Sequence, residues 1–285
     1  MSTFPFVPYA TYANNSVPKV TGDALNAEQD LLNALTWPSY LCRPSVKMRC
    51  TDGGTIVVQP SPMMIFDAPL NKHTYCAWAE TTIDSTSLDV PSGAWPADKW
   101  VYVYAYSENR VGKIETSETA PAAIMPAVGV STASKAFKTG DESRKYLGCF
   151  YSDGSSIVRR FRMSDYQYVN LDQVIALSVN TGADPAWSSY VAIDLSDYVG
   201  PDAVETTLAA RMVGNVNPFD VVLELSPDSG TVPIVACEVE PNTGGAYTAI
   251  KRSLVVMPLL STTIYGRVTP ARDPDVRLEV NGWKE

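Results

Sequence analysis

The chain has 285 residues, 22 of them basic and 31 acidic, with a formal charge of −9 and one histidine. At roughly 100–200 residues per domain it holds one large domain or two smaller ones, and 45% apolar against 19% charged residues supplies a core rather than a disordered chain. The acidic balance argues against nucleic acid as the main partner, no run approaches the roughly 18 apolar residues of a membrane span, and residues 1–12 lack the basic start and apolar run of a secretory leader.

Residues 2–20 hold Phe4, Pro5, Phe6, Pro8, Tyr9, Tyr12 and Pro18. Proline fixes φ and removes a donor, so this stretch is expected as an extended arm. Its aromatics either pack on their own domain or dock on a neighbouring subunit, since interfaces favour large rings. Residues 21–35 carry the best helix signal. Thr21 or Asp23 caps the start, Leu25, Leu31, Leu32 and Leu35 form one stripe, and Trp37-Pro38 ends it. A helix of about 15 residues is marginal alone in water, so it needs a partner, such as its own symmetry copies.

From residue 43 the pattern changes to short runs rich in β-branched and aromatic residues. Strands are expected over 47–51, 55–59, 74–80, 100–107, 145–151 and 156–163. Asp52-Gly53-Gly54 is expected to close a hairpin between the first two, and Asp153-Gly154 between the last two. Along 100–107, Val101, Val103 and Ala105 face one side and Tyr102, Tyr104 and Tyr106 the other. Either both faces are covered, or the tyrosines line an intersubunit surface. Residues 113–140 read as an irregular crossing with a short strand at 124–130. Further strands are expected over 173–179, 189–194, 206–213, 220–225, 234–240, 253–258, 264–268 and 275–283. About eight strands in about 115 residues is the density of a β-sandwich or jelly roll.

The chemistry-bearing residues are sparse. The cysteines are Cys42, Cys50, Cys76, Cys149 and Cys237, and no two are close enough for a zinc ribbon. Cys42 and Cys50 could close a short loop, while the stronger reading is free, buried thiols made in a reducing cytoplasm. Gly129-Val130-Ser131-Thr132-Ala133 misses the nucleophile elbow at its fifth residue, and the only histidine, His73, precedes it. His73 and Cys76 are three apart in an expected strand, so they point to opposite faces. Dinucleotide, phosphate-loop and HExxH motifs are absent, and Asp273-Pro274-Asp275 lacks the Gly and Glu of a calcium loop. Asp194, Asp197, Asp202 and Glu205 flank a turn and read as solvated acids rather than a glycosidase pair. The expectation is therefore no catalytic residue, no metal ligand and no cofactor. Arg144, Lys145, Arg159, Arg160 and Arg162 gather in one expected hairpin, with Arg160 and Arg162 sharing a face. Salt bridges to an acidic neighbouring subunit are the preferred reading. Trp187, beside Pro185 in an expected loop, is the candidate glycan contact.

Several local patterns occur in a consistent order. They are Val20-Thr21-Gly22-Asp23-Ala24-Leu25-Asn26-Ala27, then Leu88-Asp89 with Gly93, then Trp100-Val101-Tyr102-Val103-Tyr104. Arg144-Lys145-Tyr146-Leu147-Gly148-Cys149-Phe150-Tyr151-Ser152-Asp153-Gly154 and Arg159-Arg160-Phe161-Arg162-Met163 follow. Ile193-Asp194-Leu195-Ser196, Gly200-Pro201-Asp202-Ala203 and a closing strand over 276–283 complete the series. Together these resemble tailed-bacteriophage fibre and virion-surface proteins over most of the chain. The resemblance implies a head, collar or short tail fibre or spike subunit, usually a homotrimer. Phe4, Phe6, Tyr9 and Tyr12 would anchor it to a portal, adaptor, collar or capsid protein, and Leu25, Leu32 and Leu35 would join subunits.

The expected architecture is mainly β: an N-terminal arm and one helix over 1–38, a first β-rich domain over 39–167, and a β-sandwich or jelly-roll-like domain over 168–285. The expected function is a non-enzymatic virion component, made in the host cytoplasm, with host attachment through a surface glycan as an added role. A carbohydrate-binding receptor module is the alternative, and a polysaccharide-degrading hydrolase has no specific sequence support.

Overall fold

Alternating sequence makes alternating faces. In Val46–Cys50, Val46, Met48 and Cys50 are buried while Lys47 and Arg49 face solvent. The computed structural model describes residues 45–89, 93–124, 134–180, 185–215, 221–229, 233–239, 248–269 and 275–285. The chain divides into units Met1–Pro38 and Ser39–Glu285, and every described residue belongs to the second. The expected arm and helix, with Phe4, Phe6, Tyr9, Tyr12, Leu25, Leu32 and Leu35, lie outside the described residues.

The described residues are mainly β, with twenty strands. In chain order these are β1 (Val46–Cys50), β2 (Ile56–Pro60), β3 (Met63–Asp67), β4 (Lys72–Cys76), β5 (Thr81–Ile83), β6 (Lys99–Glu108) and β7 (Val111–Ser117). Next come β8 (Pro121–Ile124), β9 (Ser134–Lys138), β10 (Asp141–Ser152), β11 (Phe161–Ser164), β12 (Gln167–Asn170) and β13 (Ile175–Asn180). The remainder are β14 (Val191–Asp194), β15 (Glu205–Asn215), β16 (Val221–Ser226), β17 (Ile234–Val239), β18 (Thr248–Pro258), β19 (Thr263–Thr269) and β20 (Asp275–Lys284). Each of the eight strands expected after residue 168 has a counterpart in β13–β20.

A nine-stranded antiparallel sheet runs β18-β15-β20-β12-β11-β1-β2-β5, with β13 also pairing β20. A five-stranded sheet runs β7-β6-β10-β9-β8, a four-stranded sheet β14-β19-β16-β17, and β3 pairs β4. Met48, Val58, Phe161 and Met163 of the large sheet share one buried cluster with Val101, Val103 and Phe150 of the five-stranded sheet. Leu208, Met212, Met257 and Leu278 join the same cluster with Leu223, Leu225, Ile264 and Val268 of the four-stranded sheet. The large sheet is thus the common layer.

The boundary expected at residue 168 falls inside this layer. Strands β11 and β12 form one tight hairpin, Phe161 opposite Asn170 and Ser164 opposite Gln167, and β12 continues the sheet by pairing β20. Aromatic packing locks the two segments. Tyr168 stacks on Trp283 at 4.4 Å, Trp100 meets Trp283 edge-on at 5.7 Å, and Trp100 Nε1 donates to Ser196 O at 2.8 Å. The segments 39–167 and 168–285 therefore share one sheet and one core.

The Asp153-Gly154 turn is present, with Asp153 Oδ1 accepting from Ser155 and Ile157 N–H, but the expected hairpin stops there. Past the single Ser152–Val158 bridge the chain leaves β10, and β11 pairs β1 and β12 instead. Val158 N–H already donates to Gly53 O, on the β1–β2 turn. In β10 a register shift between Tyr146 and Gly148 lets Gly148, at φ 148°, lie against the Met48 and Met163 methyls and the Tyr168 hydroxyl.

The β1–β2 hairpin forms as expected. The Asp52 carboxylate accepts from Thr55 hydroxyl at 2.6 Å, Thr55 N–H at 2.8 Å and Gly54 N–H at 2.9 Å. Those bonds, the Thr55 hydroxyl foremost, lower its pKa from 3.8 to about 2. A depressed carboxyl contributes stability above its unfolded value and loses it as pH falls through the folded one. Asp52→Asn is therefore expected to flatten the loss of stability between pH 4 and pH 2 in urea titrations; unchanged acid sensitivity would contradict this role.

Candidate functional site

The outer face of the nine-stranded sheet carries the most chemistry. Antiparallel register aligns its outward side chains in rows. One row holds Gln59, Lys47, Ser164, Gln167, Lys284 and Glu205. The next holds Val57, Arg49, Arg162 and Val169. Gln59, Lys47, Ser164 and Gln167 of the first row and all four residues of the second line an open groove of about 700 Å³, with Glu80 also in its lining.

Within the groove Arg49 on β1 stands directly opposite Arg162 on β11. Like charges in that position destabilise a sheet. Arg49 is answered by Glu80, with Nη2 2.8 Å from Oε1, a half-exposed pair of small net worth. Among the described residues Lys47 and Arg162 make no ion pair. Three cations thus face one carboxylate, in a chain of net charge −9.

At the far end of the same sheet Arg252, Arg211 and Arg277 also align on β18, β15 and β20. This row is partly answered: Arg277 Nε lies 2.9 Å from Glu279, and Asp275 shares the 330 Å³ pocket that Arg211 and Arg277 line, while Arg211 and Arg252 make no ion pair among the described residues. Beyond it β18 ends the sheet, and among the described residues no strand pairs its free side. Leu254 and Val256 are 68% and 56% exposed on it. Leu259 N–H donates to Val204 O, which brings Val204 and Leu260, also exposed, beside the strand.

The residues singled out from sequence are placed as follows. Trp187 is 3% exposed, a correction to its role as glycan contact. A 3-10 turn over Pro185–Ser188 lays the ring on β19, where a side chain at Gly266 would meet Trp187 Cζ3 at 3.2 Å. Its face is therefore closed to a sugar. The five basic residues of the expected hairpin disperse. Arg144 Nε pairs Glu115 at 2.8 Å and stacks 4.1 Å over Tyr106. Lys145 is buried, and Arg159 lies 4.2 Å over Tyr151 while donating to Asp197 O. Arg160 Nε donates to Asp172 at 2.7 Å, and Arg162 alone reaches the groove. The tyrosine face of β6 is covered within the chain: Tyr104 and Tyr102 lie 5.9 and 6.3 Å from Tyr146, and Tyr104 hydroxyl donates to Thr119 O at 2.6 Å.

Cys50, Cys76, Cys149 and Cys237 are buried thiols, while Cys42 lies outside the described residues. Full burial, with the Glu285 carboxylate 3.1 Å away, pushes the Cys149 thiol well above its ordinary value. Asp194 accepts from Ser196 N–H at 2.8 Å, and Glu205 stands opposite Lys284 and Pro258 in the sheet. The segment 129–133 lies outside the described residues. Among the described residues no three His, Cys, Asp or Glu side chains gather as a metal site. Lys47 and Arg49, the cations that sequence reasoning missed, carry a weak signal: two basic residues at alternate positions of a strand.

No family model matches the chain, and no curated protein matches it. Among solved structures it is similar to a Bacillus thuringiensis Cry1Da tryptic core variant, at 9% identity over 87% of this chain and 54% of that one, with a TM-score of 0.21. The chain spans about half the length of that structure, and at that score the likeness carries no argument about fold or activity.

Proposed function

We propose that the chain is a non-enzymatic structural subunit of a tailed-phage virion, a fibre or spike component that associates with its own copies and is anchored to the particle by its first 38 residues. The order of sequence motifs suggests the setting. The observation that supports self-association most is β18. It is eleven residues long and pairs β15 in register along its whole length, with no bulge. Monomeric proteins blunt such edges with charge, proline or a kink. Here Lys251, Arg252 and Pro258 lie on the strand, but Leu254 and Val256 between them face water, flanked by Leu260 and Val204. Burial of that surface returns about 25 cal/mol per Å² of apolar area, and a symmetric oligomer is the simplest source of cover.

Light scattering on the full chain tests the reading. A three-fold mass is expected, falling in Leu254→Lys/Val256→Lys with the fold retained by circular dichroism. A mass that falls only with Leu25→Glu/Leu32→Glu moves the subunit contact to the N-terminal segment and overturns the role of β18. A monomeric wild-type chain overturns the self-assembling fibre.

A further inference from the structure

We infer that the groove across β1, β2, β11 and β12 binds an acidic oligosaccharide, a pyranose chain carrying carboxylates, through Lys47, Arg49 and Arg162. The inference goes beyond the virion reading and rests on the groove alone. Its first support is an imbalance. Arg49 and Arg162 oppose each other across two strands, and Arg162 and Lys47 have no counter-charge among the described residues. A fold does not gain from such an arrangement; an anion bridging the two guanidinium groups turns the repulsion into paired charge-assisted hydrogen bonds, for which the planar fork suits a carboxylate.

The second support is spacing. Lys47 and Arg49 sit two residues apart on one face, about 7 Å along the strand, with Arg162 on the neighbouring strand. Cations spread in this way suit a ligand bearing more than one negative charge along its length, rather than one compact anion. The third is the remaining lining. Gln59, Ser164 and Gln167 supply amide and hydroxyl groups for sugar hydroxyls, and Val57 and Val169 a small apolar floor. An open trough of about 700 Å³ leaves both ends of such a chain free.

An acidic peptide fits less well. All four strands are paired on both sides, so no backbone edge is open for strand addition, and the groove offers no deep apolar anchor pocket. Three cations in an acidic chain are too few for nucleic acid, whose binding depends on many neutralised phosphates.

The full chain is titrated by calorimetry with tetragalacturonate, its methyl ester and hexaglutamate, at low and physiological salt. Saturable binding of tetragalacturonate is expected, with loss of binding for the neutral ester. Arg162→Gln and Lys47→Gln are each expected to raise Kd about tenfold. Arg162→Gln removes the opposed charge, so its melting temperature is expected at or above that of wild type, which separates lost binding from lost fold. No binding of tetragalacturonate, or equal binding of the ester, overturns the site. Equal or tighter binding of hexaglutamate overturns the saccharide assignment. These outcomes leave the subunit mass untouched, so failure here is distinct from failure of the fibre reading.

Discussion

Gly282→Ala is expected to cost roughly 3 kcal/mol or more of folding stability, at the upper end for overpacking. A Cβ at this position would lie 2.1 Å from Tyr168 O, 3.2 Å from Tyr168 C and 3.3 Å from Val169 Cα. Every one of these atoms is backbone of the neighbouring β12, so no rotamer change relieves the clash. Strands β12 and β20 would have to part where Val169 pairs Gly282, pulling Trp283 off its stack on Tyr168. Gly54→Ala is the control: nothing lies within 4 Å of its Cβ position, and an exposed turn substitution should stay within about 0.5 kcal/mol. Urea midpoints for the two variants decide the matter. Equal, small effects would mean the strands approach less closely than described.

The second large effect is expected at Asp67, a fully buried carboxylate at the end of β3. Its Oδ2 accepts from Ser107 hydroxyl at 2.7 Å and from Arg110 N–H at 2.8 Å, and its Oδ1 from Leu70 N–H at 3.3 Å. It thereby clamps the β6–β7 turn, where Asn109 and Arg110 take φ of 53° and 67°, a primed turn made with a side chain in the left-handed region. Asp67→Ala strands a buried hydroxyl and a turn N–H, and is expected to cost about 3 kcal/mol. Burial pushes the Asp67 carboxyl up, but the bonds from Arg110, Ser107, Leu70 and Asn109 outweigh it and hold it below 3.8. Its contribution is accordingly complete above pH 3.8 and fades as pH falls through the lower folded value. In urea unfolding, the stability gap between wild type and Asp67→Asn should narrow as pH drops from 5 to 3. A constant gap would place the cost in packing rather than charge.

Local grammar was legible and long-range partnership was not. Short runs of β-branched and aromatic residues between turn formers located β1, β2, β6, β10 and β13–β20, because such side chains suit a pleated, buried surface whichever strand they pair. The Asp52 and Asp153 turns were legible because their side chains bond their own backbone. What followed the second turn was hidden: β11 leaves β10 because its inward Phe161 and Met163 belong to the core beneath the large sheet, and its ladder partner β1 lies more than a hundred residues earlier in the chain. The same distance hid the groove, since Lys47, Arg49 and Arg162 each look like ordinary outward residues until register sets them side by side. Trp187 failed for the converse reason. Pro185 marked a loop correctly, but only the bare backbone at Gly266 across the fold makes room for the ring.

Strand β20 pairs β12 and β13 along one edge and β15 along the other, and it follows all three in the chain. Until residues 275–284 have been synthesised, β12 and β15 each wait with an open edge, and the two ladders they end have no common member. Closure of the large sheet is therefore a late event in time as well as in sequence, gated by contacts of high sequence separation that form slowly. A ribosome pausing shortly before Asp275 holds two unfinished sheets rather than one nearly finished body, the condition in which strand edges on neighbouring nascent chains find each other first.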